Sequence, residues 1–204
     1  MAEKIKQIKR LLIFSQVSLF GLLIFCSLLK PQVVKGNGGV SNFGKYRLTV
    51  IFYILSFLLE MIFIWLAAYR IAILGAKYRY FSWLLKFLAS LVLLVLISTF
   101  PRYISNIYSI VHDDLGIALY GFEFIASIWF VIKTKLHSAV YLLIIESAGS
   151  MIGLLSILKI THLLYIGQFI GALGFGLLLI LAYPLILDRY YQAFRSVDHP
   201  KLSI

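Results

Sequence analysis

Three glutamates lie inside long apolar segments of the chain, where a charged side chain is least expected: Glu60, Glu123 and Glu146. Placing an ionised carboxylate at the centre of a bilayer costs about 2.5–3.5 kcal/mol or more. Three of them at similar depth should therefore face the inside of a helix bundle rather than lipid. There they either form a site for a proton or a cation, or carry a proton themselves and hydrogen-bond to neighbouring helices.

Small or polar residues, one or two helical turns away, share a face with each glutamate. They are Ser56 for Glu60, Gly116, Tyr120 and Ser127 for Glu123, and Gly149, Ser150 and Gly153 for Glu146. No Lys or Arg lies at comparable depth to neutralise a carboxylate. We favour the interpretation in which the glutamates link helices, and keep a proton- or cation-coupled site as the alternative.

A second group of polar residues is expected on the outer side of the membrane. His112, Asp113 and Asp114 lie where the fourth apolar run begins, and His162 lies in the connection before the sixth. Imidazole and carboxylate groups can hold zinc, as in a metal-dependent hydrolase, but this spacing matches no common zinc signature. Aspartates before a helix also cap its free N–H groups, and we favour that interpretation.

Composition identifies the class of protein that contains these residues. Of 204 residues, 62% are hydrophobic and 13% are charged, against about 45–50% and about 25% in soluble domains. A soluble enzyme, a disordered chain and a disulfide scaffold are therefore excluded, and Cys26 is the single cysteine. The net charge of +11 comes from cations at the ends of apolar runs, without the basic and aromatic interleaving of a nucleic-acid surface. We predict an integral membrane protein that binds no nucleic acid.

Six apolar runs predict the architecture. Each is near or above the ~20 residues that span a bilayer as a helix, and each is continuous rather than alternating. The runs cover 11–29, 48–74, 81–100, 115–132, 138–158 and 163–187. The first is too long for a signal peptide and should remain as an uncleaved helix. We predict an all-α, polytopic membrane bundle of six helices in which residues 1–204 form one transmembrane domain.

The distribution of cations predicts the orientation. With both termini in the cytoplasm, 13 Lys and Arg lie on the cytoplasmic side and six on the other, as the positive-inside rule requires. Tyr and Trp near the run ends are typical of an aromatic belt: Tyr78, Tyr80, Trp83, Tyr103, Tyr108, Tyr190 and Tyr191. We expect a multi-pass protein of a plasma or inner membrane, with membrane lipids as its first partners.

Glycines indicate how two of the helices pack. Gly149 and Gly153 in the fifth run, and Gly167, Gly171 and Gly174 in the sixth, allow backbones to approach closely. We predict that these two helices contact each other, with Gln168 hydrogen-bonding across the contact. Pro184 should kink or end the sixth helix. A homo-oligomer is left open.

No motif in the chain indicates a reaction. Residues 39–46 fit the first seven positions of a phosphate-binding loop, but Tyr46 replaces the Ser or Thr that coordinates magnesium, and no strand precedes the loop. The GNGG and VSNFG stretches are instead typical of a turn-rich outer loop. We predict no enzyme activity and no cofactor.

The layout resembles the six-helix membrane proteins of the damage-regulated autophagy modulator type and their uncharacterised bacterial relatives. The matching pieces are Ser41-Asn-Phe-Gly44, which fits the Ser-x-x-Gly element after the first helix, and His112, which precedes Phe122 and Phe124 in an aromatic-rich fourth helix. The resemblance implies a non-enzymatic, lipid- or stress-linked membrane protein and assigns no role to the three glutamates.

These observations lead to one preferred function and two alternatives. The preferred function is a multi-pass membrane protein without catalysis that acts through lipid or protein contacts. The first alternative is a small transporter in which Glu60, Glu123 and Glu146 bind protons or cations. The more distant alternative is the metal-dependent hydrolase built on the outer histidines and aspartates.

Overall fold

The computed structural model describes residues 2–36, 38–101 and 104–198, with side chains up to residue 193. Six helices are long and apolar enough to cross a membrane, and no strand occurs in the part of the chain that is described. The prediction of an all-α, six-helix membrane bundle is confirmed. Arg102 and Lys201, which enter the charge count, and Tyr103 of the proposed aromatic belt lie outside the described residues.

The observed helices extend beyond several of the predicted runs. The elements are α1 (Ala2–Leu29), α2 (Pro31–Lys35), α3 (Val50–Ala72), α4 (Arg79–Thr99), α5 (Asn106–Thr134), α6 (His137–Ile157) and α7 (Leu164–Asp198), with 3₁₀ segments at Val40–Lys45 and Ala76–Tyr78. The largest difference is in α7, which continues eleven residues past the predicted run. α1, where the basic N-terminal segment is helical, and α5 each begin nine residues before the predicted run. Polar residues shorten a hydropathy run without ending the helix that contains them.

Consecutive spanning helices run antiparallel. The Ser82 hydroxyl of α4 donates to the Ala68 carbonyl of α3 at 2.8 Å, and the rings of Phe25 in α1 and Phe52 in α3 lie 4.8 Å apart. The end of the bundle that carries the start of α1 and the end of α7 is called the termini end here. The opposite end, which carries α2 and Val40–Lys45, is called the loop end.

The glycines of α6 and α7 lie at the contact between these two helices. A Cβ atom added to Gly149 would lie 2.8 Å from the Gly167 carbonyl oxygen, and one added to Gly174 would lie 2.6 Å from the Glu146 nitrogen. An added Cβ atom on Gly171 would make only ordinary contacts near 3.6 Å, and one on Gly153 would meet no atom within 4 Å. Gly149, Gly167 and Gly174 are therefore the positions where the backbones leave no room for a side chain.

Pro184 does not end its helix. α7 continues through it to Asp198, so the alternative in which the proline terminates the helix is wrong. In membrane helices, neighbouring groups and local adjustments satisfy the backbone that a proline leaves unpaired. The preceding residue, Tyr183, is buried and donates its hydroxyl hydrogen to the Phe81 carbonyl of α4.

The loop-end connection between α1 and α3 packs into the bundle rather than forming the expected turn-rich outer loop. Its 3₁₀ segment places the Phe43 ring in a fully buried position, edge-on to the Tyr165 ring at 5.6 Å. The Thr49 hydroxyl donates to the Phe43 carbonyl at 2.7 Å and fixes this turn. The segment therefore closes the loop end of the bundle.

Candidate functional site

A cavity lies inside the bundle, between α1, α3, α4, α5 and α7, and is called the polar cavity here because eight polar side chains occur within its mostly apolar lining. Its volume is about 100 Å³, and a cavity needs about 10–15 Å³ to hold one water molecule, so several waters fit. Its polar lining is Gln16, Ser41, Tyr53, Glu60, His112, Tyr120, Glu123 and Gln168. The cavity therefore gathers two of the three intramembrane glutamates with other hydrogen-bonding side chains.

Glu60 and Glu123 form the centre of this site. They are 7% and 8% exposed, and both line the cavity. Glu60 of α3 interacts electrostatically with the side chain of Gln16 from α1. The strongest charge interaction of Glu123 is with Glu60, followed by Glu146. The structure thus brings the carboxylates into one electrostatic group.

Glu146 joins the group from α6 through a separate polar contact. It is 2% exposed and lies beside Ser127 of α5, which is fully buried. The two side chains are near enough to interact, but neither the Ser127 Oγ nor the Glu146 Oε2 atom completes a hydrogen bond. Buried polar atoms in native structures normally have a partner, so this pair forms a polar position with unmet hydrogen-bonding capacity.

The cavity extends from the membrane centre toward the loop end. Eleven residues separate His112 from Glu123 along α5, a rise of about 16 Å at 1.5 Å per residue. His112 is buried, and its Nδ1 atom lies 2.9 Å from the Ser98 hydroxyl. Tyr120, between them, donates its hydroxyl to the Gln168 carbonyl at 3.3 Å. Polar groups therefore occur at intervals along this depth, among apolar lining residues.

The 3₁₀ segment covers the loop end of the cavity. The Val40 amide donates to the Gln168 Oε1 atom at 2.8 Å, and Ser41 is part of the lining. The prediction that Gln168 hydrogen-bonds across the contact between α6 and α7 is wrong, because its side-chain oxygen is bonded to Val40. Gln168 instead connects α7 to the segment that closes the cavity.

The outer histidines and aspartates do not assemble into a metal site. Asp113, Asp114 and His162 are exposed, whereas His112 points into the cavity. Among the described residues, no group of three or more His, Cys, Asp or Glu side chains is arranged to hold a metal ion. The favoured capping role is wrong as well, because α5 begins at Asn106 and Asp113 already lies two turns inside it.

Four of the polar residues that line the cavity were not assigned to a site from the sequence: Gln16, Ser41, Tyr53 and Gln168. Gln16 lies in the middle of the first apolar run, and its polarity at that depth is the signal that could have identified it. Gln168 was assigned to helix packing rather than to a cavity. Their faces could not be matched to those of the glutamates because the rotation of each helix about its axis depends on packing.

The charge of the site determines what it can bind. Apart from one another, the three glutamates interact with Gln16, Tyr120 and Ser127, and no Lys or Arg from the described part of the chain lines the cavity. When they are ionised, the carboxylates of such a site attract protons and cations and repel anions. Comparisons with protein-family models, curated proteins and solved structures find no match. The site's own chemistry must therefore indicate the function.

Proposed function

We propose that this protein is a small membrane carrier that binds a proton or a cation at Glu60 and Glu123. The observation that supports this proposal is the placement of both carboxylates in one cavity, inside apolar helices, with no Lys or Arg among the described residues that line it. A purely structural pair would be expected to hydrogen-bond into separate helix contacts. A shared cavity with room for water is what a transported ion needs.

The proposed mechanism follows from repulsion between the two carboxylates. When both are ionised in a cavity of low dielectric, their repulsion is strong, and a bound proton or cation relieves it. Binding of the proton or cation is then favourable at the membrane centre. Its release on the other side requires the cavity to close at one end of the bundle and open at the other. Glu146 beside Ser127 provides a second acceptor within electrostatic reach of Glu123.

The proposed orientation places the mouth of the cavity outside the cytoplasm. Both termini are proposed to be cytoplasmic, as the distribution of Lys and Arg indicates. The loop end, with Val40 and Gln168 at the mouth, then faces the outer side of a plasma or inner membrane. A ligand from that side would pass His112 and Tyr120 before reaching the glutamates.

Flux through liposomes tests this proposal. The purified protein is reconstituted with the pH indicator pyranine trapped inside, and a potassium gradient with valinomycin drives protons inward. We expect faster acidification than in protein-free liposomes, and a loss of about tenfold or more in Glu60→Gln and Glu123→Gln, which remove the charge that binds the ligand. A sodium gradient in place of the proton drive separates proton movement from proton–cation exchange.

The control is Glu3→Gln, which removes an exposed acid in the first turn of α1. It should transport as the wild type does. Flux no faster than protein-free liposomes under both gradients, or Gln variants as active as the wild type, would contradict the proposal.

The competing function is a protein without catalysis that acts through lipid or protein contacts, including the lipid- or stress-linked role that the resemblance implies. In that case the glutamates serve only to hold helices together. Glu60→Gln would then change the free energy of unfolding but leave liposome flux at the protein-free level. Measuring unfolding and flux on the same variants distinguishes the two functions.

A further inference from the structure

A second concave region lies at the termini end of the bundle, away from the polar cavity. It is a crevice of about 570 Å³ between α4, α5 and α7, within the size range of ligand pockets. Three cations line it: Lys77, Lys133 and Arg189. Among the residues whose side chains are described, the rest of its lining is aromatic or aliphatic and none of it is acidic. The crevice therefore combines positive charge with apolar walls.

The cations are placed at the boundary between the helices and the surrounding water. Lys133 and Arg189 are exposed, at the end of α5 and in the last part of α7. Arg189 Nη1 donates to the Thr134 carbonyl at 2.9 Å and to the Lys133 carbonyl at 3.2 Å, which holds the guanidinium at the lip of the crevice. The neighbouring acid, Asp188, accepts a hydrogen bond from Gln192 at 2.8 Å and does not line the crevice.

An apolar groove continues from the crevice toward the membrane centre. It has a volume of about 150 Å³ and shares Tyr80 and Trp129 with the crevice. Leu84, Leu88 and Ile125 are among its lining residues, and Ile125 is 69% exposed on the outer surface of the bundle. The groove therefore opens between α4 and α5 toward the space that lipid chains occupy.

We propose that the crevice and the groove together bind one anionic phospholipid. The phosphate would lie among Lys133, Arg189 and Lys77, and one acyl chain would enter the groove beside Trp129. Basic pockets between transmembrane helices are suited to acidic headgroups, and each cation near the surface strengthens the attraction about fivefold. A free phosphate would leave the groove unfilled, so the continuity of charged and apolar surfaces favours a lipid.

Quenching of Trp129 by brominated lipids tests this proposal. Trp65→Phe and Trp83→Phe leave Trp129 as the only tryptophan of the chain. This variant is reconstituted in phosphatidylcholine bilayers that contain increasing fractions of brominated phosphatidylglycerol or brominated phosphatidylcholine. We expect phosphatidylglycerol to quench at a several-fold lower fraction, and Lys133→Gln to reduce that preference about fivefold.

Lys135→Gln is the matched control. It removes the same charge from an exposed position two residues away that does not line the crevice. Its lipid preference should equal that of the parent. Equal quenching by the two lipids, or the same loss in Lys135→Gln as in Lys133→Gln, would overturn the proposal and indicate general surface attraction. Because quenching does not depend on transport, this experiment tests lipid binding independently of the proposed carrier function.

Discussion

The backbone amide of Val40 donates a hydrogen bond to the side-chain oxygen of Gln168 across 2.8 Å, joining residues that are 128 positions apart. This bond ties the 3₁₀ segment between α1 and α3 to α7, above the polar cavity. A Cβ atom added to Gly39 would lie 2.7 Å from the same oxygen, so the segment approaches as closely as its backbone allows. On the route that we propose for the ligand, this contact therefore lies between the loop end and the glutamates.

Removing the Gln168 side-chain amide should open the cavity. Losing one hydrogen bond costs about 0.5–1.5 kcal/mol, which raises the open population by about twofold to tenfold. The reporter of opening is His112→Cys in a Cys26→Ser background, labelled with a membrane-impermeant thiol reagent. We expect Gln168→Leu to increase its labelling rate by about the same twofold to tenfold. Gln32→Leu, which removes an exposed amide from α2, is the control. An unchanged labelling rate in Gln168→Leu would show that the hydrogen bond between Val40 and Gln168 does not keep the cavity closed.

The close contact between α6 and α7 predicts that substitutions of neighbouring glycines differ in their effect on stability. Gly149→Ala and Gly167→Ala force a methyl group against backbone, and overpacking of this kind costs about 1–3 kcal/mol. Gly153→Ala and Gly171→Ala, one turn along the same helices, have space or ordinary contacts and should change stability little. Thermal unfolding in detergent measures all four variants. Equal effects at all four positions would contradict the observed packing.

The unmet hydrogen-bonding capacity of Glu146 predicts a gain in stability at the expense of transport. In Glu146→Gln, the amide can donate to the Ser127 oxygen, which now lacks a partner. We expect the free energy of unfolding to rise by about 1 kcal/mol, while proton flux falls because the second acceptor is lost. Thermal unfolding and pyranine flux on one preparation test both effects. A destabilised variant would indicate that the carboxylate already has a partner.

The orientation predicts which end of the bundle is reached from outside a cell. Lys35→Cys at the loop end and Lys135→Cys at the termini end are both exposed positions, and Cys26→Ser removes the single native thiol. An impermeant maleimide should label Lys35→Cys in intact cells and Lys135→Cys only after permeabilisation. The reverse pattern would mean that the cavity opens toward the cytoplasm.

The six helices were predictable because each is a long apolar run, and burial of the backbone in a membrane requires helices there. The start of α5 was not, because the polar residues from Asn106 to Asp114 lower the hydropathy although they continue the helix. That error placed His112 before the helix and gave Asp113 a capping role. Packing places the imidazole of His112 inside the cavity instead, next to Ser98.

The depth of each glutamate was predictable from its position within a run, but the direction of its side chain was not. Small and polar neighbours at helical spacing indicated which face of its helix carries Glu60 and which carries Glu123. Those two faces meet only if each helix is rotated about its own axis so that its glutamate points toward the other helix. That rotation is determined by contacts between distant residues, such as those of the glycines in α6 and α7. The sequence therefore indicated that carboxylates could bind protons or cations, but not that two of them line one cavity.

α5 carries His112, Tyr120, Glu123 and Ser127, and its 29 residues correspond to about 43 Å of helix, well beyond the ~30 Å hydrocarbon core. Only 22% of its most apolar stretch is buried within the protein, against 61% for α7, so most of it faces away from the other helices. A helix longer than the bilayer is thick accommodates the difference by tilting. The thickness of the surrounding bilayer thus becomes a physical variable of the site, because a thinner membrane tilts the helix that supplies four of its polar groups.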